Sequence, residues 1–593
     1  MTTSRRKLRH RLFASLLVFV TSPLFAQEPA QKPADNPQQR PANGTQTEKP
    51  AEGPQLPFQI QLLETHIRFE ANGDSRKEVH TIVKIINILG ARQFSRVAFD
   101  YNRAFQQIDI PLIRIRHANG GTSELLPSAV TDAPNPAVEK FPAYQDVRVK
   151  SVRILGLQEG DTLEYRVTTT TTHHPLAPDF WLEHTFDRSG QVLEEHYELS
   201  LPKSHSLQMR TSQDLPQAQT IDSGDHANYR WNINPKSWTN PKADASVQEP
   251  APDVVLTTFS SWGQLNKRIW DCMQIAFGTN IWAESMKKVG ASSEPVSAQS
   301  LYNLVSTKIE TVDLPLELAA CPFRDADQVL SSGYGSPQDK AKLLHILLVQ
   351  ERMQKIPKSS GLLFYTKAES PESSLPRPSL LNGILVFMSD AEGKNTVYLD
   401  PALEVAPYGA IPADLRGRRA LRAGLREEDA GDPWTTIPKN LPFPSTQGVR
   451  VDASIDSTGT LAAKVKYALR GDNELLLRVA FHQTPKEGWK DVANLLAISD
   501  GFRGQITAVN ASDPKSTKDP FTVEYEITQP KFVDWTKNPI RIPALLPQIG
   551  VPDPPSRNAT GPNAPKIELG TPLDVDTHVT LHLPAGTTVE APA

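Results

Sequence analysis

A cysteine attacks an acyl carbon as its thiolate, and proteins favour the thiolate by placing the thiol at a helix N-terminus beside a histidine that an acid orients. This sequence has two cysteines, Cys272 and Cys321, and between Ala251 and Leu441 one histidine, His345. Cys321 stands in Ala320-Cys321-Pro322 and Cys272 inside a helical pattern, so neither marks a helix start. They read as buried small hydrophobes or as one disulfide formed in an oxidising compartment. His345 lies about 12 Å along a helix from Pro337 at roughly 1.5 Å per residue, too far to serve a group at the helix start. Ser336 as nucleophile would need a base, and none is within sequence reach. Asp325 and Asp327 read as solvated loop charges. His173, His174 and His184 fall in strand-like alternation, where adjacent residues point to opposite faces and no cysteine or carboxylate completes a ligand set. Neither a metal nor a cofactor is expected.

The elements that would position such residues follow from the pattern of the chain. At roughly 150 residues per domain, 593 residues suggest about four units. Lys and Arg total 63 against 67 Asp and Glu, a net charge of -4 that excludes a polybasic nucleic-acid binder. The 51 prolines suit a β-rich, multi-domain chain. Residues 1–26 read as a secretory signal, with Arg5, Arg6, Lys7, Arg9 and Arg11 before the apolar run Leu12 to Val20 and a cleavage site after Ala26. No later run is long and apolar enough to span a bilayer, so no integral membrane segment is expected after its removal. Residues 27–57 are a Pro-rich linker too poor in apolar groups to order.

From 58 to 250 the alternation is that of strands, as in Glu78 to Ile86 and Asp161 to Val167, and predicts an antiparallel β-sandwich. Residues 255–435 form an α+β unit. Trp262 to Ile275 and Ala298 to Lys308 have helical spacing, and Asp339 to Arg352 reads as an amphipathic helix with Leu343, Leu344, Leu347 and Leu348 on one stripe. Gly361 to Tyr365, Gly383 to Met388 and Val397 to Leu399 read as buried strands. Residues 444–593 return to β alternation, interrupted by helices at Glu474 to His482 and Gly488 to Leu496, in a β-rich domain expected to stop short after the strand Val579 to Leu583.

The runs Phe99-Asp100-Tyr101, Tyr144 to Lys150 and Gly160 to Tyr165 resemble an all-β domain of unknown function that precedes transglutaminase-like domains in exported bacterial proteins. The next segment resembles such a transglutaminase-like (papain-like) core. That family's helix start reads Tyr-Gly-Asp-Cys-Lys-Asp-Lys-Ala, against Tyr334-Gly335-Ser336-Pro337-Gln338-Asp339-Lys340-Ala341 here. Pro337 stands where the nucleophile would be. The family's strand Asn-His corresponds to Asn382-Gly383, which removes the base, and only the acid is retained, as Asp400 in Tyr398-Leu399-Asp400-Pro401. The resemblance implies a pseudoenzyme, periplasmic or secreted, binding a peptide, polysaccharide or envelope protein, with Tyr334, Asp339, Asn382 and Asp400 as binding candidates. The alternative is a cysteine-dependent amide-bond enzyme, a transglutaminase or peptidase with a relocated nucleophile.

Overall fold

A computed structural model describes residues 56–234, 251–275, 281–289, 296–316, 321–353, 359–368, 370–390, 395–424, 433–537, 540, 542 and 571–590. The expected signal, nearly all of the expected Pro-rich linker and part of the expected last domain lie outside the described residues. The described chain divides into two compact units, one reaching Arg268 and taking in Ser374–Arg377, the other running from Ile269 to Ser373 and from Pro378 onward.

The first unit is β throughout except for short helical turns. Its large sheet has eight strands in the order Gln219–Ser223, His226–Ile233, Glu195–Pro202, Phe58–Phe69, Ser75–Ile85, Thr162–Thr171, Gln106–Arg116, Thr122–Glu124. Alternation decides which face is buried, since Thr81, Val83 and Ile85 point inward while their neighbours stay partly exposed. One end of the sheet shares a core with the three-stranded sheet that contains Val254–Thr257, through Phe69, Tyr197, Trp231 and Leu256. The other shares a core with the Arg96–Asn102, Val147–Arg153, Val130–Pro134 sheet, through Val83, Ile115, Val152 and Leu163. The sheet is not wholly antiparallel, because Phe58–Phe69 pairs in parallel with Glu195–Pro202. A parallel pair needs a long crossover, and the strands between these two supply it. A short helix, Ile88–Gln93, also interrupts the strands, capped by Asn87 Oδ1 on the N–H groups of Leu89 and Gly90. Six residues are too few to show a helical period.

Two histidines of this unit pack among its aromatic rings. His184 stacks on Tyr197 at 3.8 Å and meets Glu195 at 3.0 Å. His174 sits edge-on to Phe105 and Trp181, and burial lowers its pKa to about 4.

The second unit joins residues 255–435 and 444–593, apart from the few assigned to the first, into one compact body. Its first sheet is antiparallel, in the order Thr396–Leu399, Gly383–Ser389, Ser359–Tyr365, Arg419–Arg422, Trp434–Thr436. The helix Pro337–Met353 packs on that sheet and against helices Ala298–Lys308 and Ala326–Ser332. It is not amphipathic. Every residue from Gln338 to Leu348 is buried, Lys340, Lys342 and His345 among them. The expected polar face is absent because both lysines find backbone carbonyls inside the protein.

The second sheet, in the order Gln505–Ala511, Phe521–Gln529, Leu461–Arg470, Ser445–Ile455, Leu573–His582, buries alternate residues beneath helices Asp472–Gln483 and Trp489–Ser499. Its last strand lies parallel to Ser445–Ile455. Among the described residues no helix is long and apolar enough to cross a membrane.

Candidate functional site at the start of the Pro337 helix

The helix begins with reciprocal capping. Ser336 Oγ accepts from the Asp339 N–H and an Asp339 carboxylate oxygen accepts from the Ser336 N–H, each at 3.2 Å. Pro337 takes the first helical position, where a missing N–H leaves nothing unpaired. The other Asp339 oxygen accepts from the Arg324 N–H at 2.9 Å, fastening the preceding loop. Tyr334 pairs in parallel with Glu310, and the Arg324 guanidinium lies 4.8 Å from its ring centre. Asp339 and Tyr334, two of the expected binding residues, therefore hold the helix entrance together.

Lys340, one turn on, has no exposed surface. Its Nζ donates to the carbonyls of Ser306 (3.2 Å) and Ile309 (2.6 Å) and to Thr311 Oγ1 (2.8 Å). The two carbonyls belong to the C-terminal end of helix Ala298–Lys308, so a lysine from a neighbouring helix caps that helix and faces the negative end of its dipole. Burial pulls its pKa down to about 7, with Glu404 and Asp400 pulling the other way, while three acceptors match the three N–H bonds of the charged form. Thr311 extends the network, donating its hydroxyl to the Ala402 carbonyl at 2.9 Å and its N–H to Glu404 Oε1 at 2.6 Å. Glu404 also meets Lys515 Nζ at 2.7 Å and His482 Nε2 at 3.3 Å, and the pull of these partners outweighs burial to lower its pKa strongly.

Gly383 lies directly across from Tyr365 in the antiparallel pair, and the Tyr365 ring covers it. A Cβ at position 383 would come within 2.3 Å of Tyr365 Oη and 2.4 Å of Cζ. Asn382 is turned to a structural task, its Oδ1 accepting from the Lys367 N–H at 2.8 Å. His345 is buried beside Ser360 Oγ at 3.5 Å, and burial lowers its pKa to about 4, so it stays neutral.

Asp400 ends the strand Thr396–Leu399 and is buried. Burial raises its pKa to about 6, only partly offset by the N–H groups of Ala402 and Leu403 and by Lys340. A carboxyl whose folded pKa lies above its unfolded value loses stability as pH rises through that window, here from 3.8 to about 6. Asp400→Asn keeps an acceptor for the Ala402 N–H and cannot ionise. It is expected to raise unfolding free energy by about 2–3 kcal/mol at about pH 7 and to give no gain at about pH 4. Urea titrations at the two pH values check this, and an equal gain at both would remove ionisation as the cause.

Cys272 and Cys321 are joined by a disulfide, with Cα atoms 5.1 Å apart, and no free cysteine remains. An open cleft of about 370 Å³ is lined by Pro407, Tyr408, Phe443, Pro444, Arg470 and Lys518 among others. Among the described residues no group of His, Cys, Asp and Glu could hold a metal ion. Sequence reading passed over Lys340, Tyr365 and Glu404. The one available signal was two lysines, 340 and 342, leading into the apolar stretch from Leu343 to Leu348 that only His345 interrupts.

Residues 71–237 match the family model of a Domain of Unknown Function, DUF3857. No curated protein matches the chain. Among solved structures, a candidate protease from Parabacteroides distasonis aligns with a TM-score of 0.55 at 15% identity, covering 80% of this chain and 94% of that one. At that identity the likeness is one of fold. An M1 zinc metallopeptidase from Deinococcus radiodurans (TM-score 0.18, 12% identity, 34% of this chain and 43% of that one) shares too little to carry an argument. The same holds for a candidate nutrient-binding protein from Legionella pneumophila (TM-score 0.18, 10% identity, 50% and 94%).

Proposed function

We propose that the protein is an exported pseudoenzyme of transglutaminase-like architecture, acting as a binding or scaffolding module for a peptide, polysaccharide or protein of the cell envelope. The observation that carries this reading is the packing of Tyr365 on Gly383, which fills the space that a catalytic imidazole on that strand would need. Three others support it. The helix start that would present a nucleophile begins with Pro337, both cysteines are tied to each other, and His345 is held neutral in the interior. Asp400 is then the remnant of an acid whose partners are gone. The cleft beside Tyr408 and Phe443 joins two aromatic side chains to Lys518, Arg470 being engaged by Glu474 and neighbouring carbonyls, which suits a ligand carrying rings or apolar side chains next to an acidic group.

Two measurements test the reading. The purified protein, incubated with acyl-donor and peptide substrates, is expected to show no turnover; activity that Cys321→Ala abolishes would instead establish the relocated-nucleophile enzyme. Restoring the histidine should collide with the packing. Gly383→His is expected to cost about 1–3 kcal/mol of stability. In the Tyr365→Ala background the same change should cost less by at least about 1 kcal/mol. A double-mutant cycle without that coupling would show that Tyr365 does not block the position.

A further inference from the structure

We propose that one corner of the first unit is a contact surface for an anionic lipid layer. At the end of the sheet formed by Arg96–Asn102 and Val147–Arg153, Arg96 and Arg153 stand directly opposite each other on the same face. Like charges in that position repel, and a sheet keeps them at a stability cost unless something else uses them. Arg96 donates to Ser151 Oγ at 3.0 Å, and among the described residues no carboxylate pairs with Arg96, Arg153 or Arg92. Asp100 and Glu159, the acidic residues nearest along the chain to Arg96 and Arg153, form no ion pair with them.

The same corner displays aliphatic side chains. Ile88 and Leu89 are each 58% exposed, Leu126 is 71% and Leu155 is 74% exposed. They stand open to solvent while hydrogen bonds fix the backbone beneath them. The Ile154 N–H donates to the Ser95 carbonyl at 2.8 Å, the Leu125 N–H to the Ile113 carbonyl at 3.1 Å, and Ala91 and Ile154 belong to the core. Leu155 follows Arg153 by two residues, and helix Ile88–Gln93, with Arg92 in its last turn, runs straight into Arg96. The described chain also enters the fold here, because the Pro57 carbonyl accepts from the N–H groups of Ile86 and Asn87.

Guanidinium groups with free donors bind phosphate, and projecting leucines beside them enter the acyl boundary of a bilayer. A single free phosphate would use the arginines and leave the leucines idle. The near-neutral net charge of the chain conceals this local cluster.

Co-sedimentation tests it, with the chain from Gln27 onward, which keeps every described residue. The protein is expected to bind vesicles of phosphatidylcholine mixed with phosphatidylglycerol and not vesicles of phosphatidylcholine alone. Each of Arg96→Ser and Arg153→Ser should lower the partition coefficient about five-fold, the effect of one cation near an anionic surface. Leu155→Ser should lower it several-fold, and Arg96→Lys with Arg153→Lys should retain binding. Equal partition onto both vesicle types, or serine variants that bind like the parent, would overturn the proposal. Binding that inorganic phosphate abolishes and Leu155→Ser leaves intact would also overturn it, by marking a soluble oxyanion site.

Discussion

Replacing Lys340 by methionine is expected to remove about 3–5 kcal/mol of unfolding free energy from the second unit. Methionine fills a similar volume, so the loss is electrostatic rather than a cavity. The Ser306 and Ile309 carbonyls at the end of helix Ala298–Lys308 would be left buried without a donor, and Thr311 Oγ1 would lose one of its partners. Asp400 and Glu404 would lose a nearby cation. Lys342→Met is the control from the same helix, since Lys342 makes one longer hydrogen bond, 3.3 Å to the Phe323 carbonyl, beside a loose 4.0 Å ion pair with the exposed Asp325, and its removal should cost about 1 kcal/mol. Urea unfolding followed by fluorescence compares the two; equal losses would refute the capping role of Lys340.

Removing the disulfide should be about as costly. The bridge closes 49 residues of sequence, and the entropy that such a loop withdraws from the unfolded chain corresponds to about 4 kcal/mol. The bridge also joins helix Trp262–Met273 to the loop that Asp339 and Lys342 fasten, and the Phe323 N–H donates to the Cys272 carbonyl at 3.0 Å. Cys272→Ser with Cys321→Ser is expected to lower the unfolding midpoint without changing any enzymatic readout. Thiol titration of the denatured parent should find none before reduction and two after; free thiols before reduction would contradict the pairing.

The central strands of the second unit's first sheet were legible in the sequence because burial on both faces leaves a continuous apolar run, as in Gly361 to Tyr365 and Gly383 to Met388, and those of its second sheet because they alternate. The two helices over the second sheet were legible from their period. The central helix was misread because its charged residues look solvated to any pattern that scores side chains alone. Lys340 is buried for the sake of carbonyls 31 and 34 residues earlier in the chain, and nothing local records such a partner. Pro337 and Gly383 could be read as missing chemistry from their types. That Tyr365 fills the gap depends on strand register, which pairs 365 with 383 across the intervening turns. The parallel pairs Phe58–Phe69 with Glu195–Pro202 and Ser445–Ile455 with Leu573–His582 escaped for the same reason: alternation reveals a strand but not its neighbour.

The ion cluster around Glu404 bears on how the chain folds as it is made. Synthesis delivers Glu404 well before His482, 78 residues later, and Lys515 comes later still. Until they emerge, the Glu404 carboxylate keeps its water and the Thr311 N–H has only a solvated partner. A chain that ends between residues 404 and 482 lacks both of these Glu404 partners, and its carboxylate would have to stay in water rather than take its half-buried place beneath Thr311.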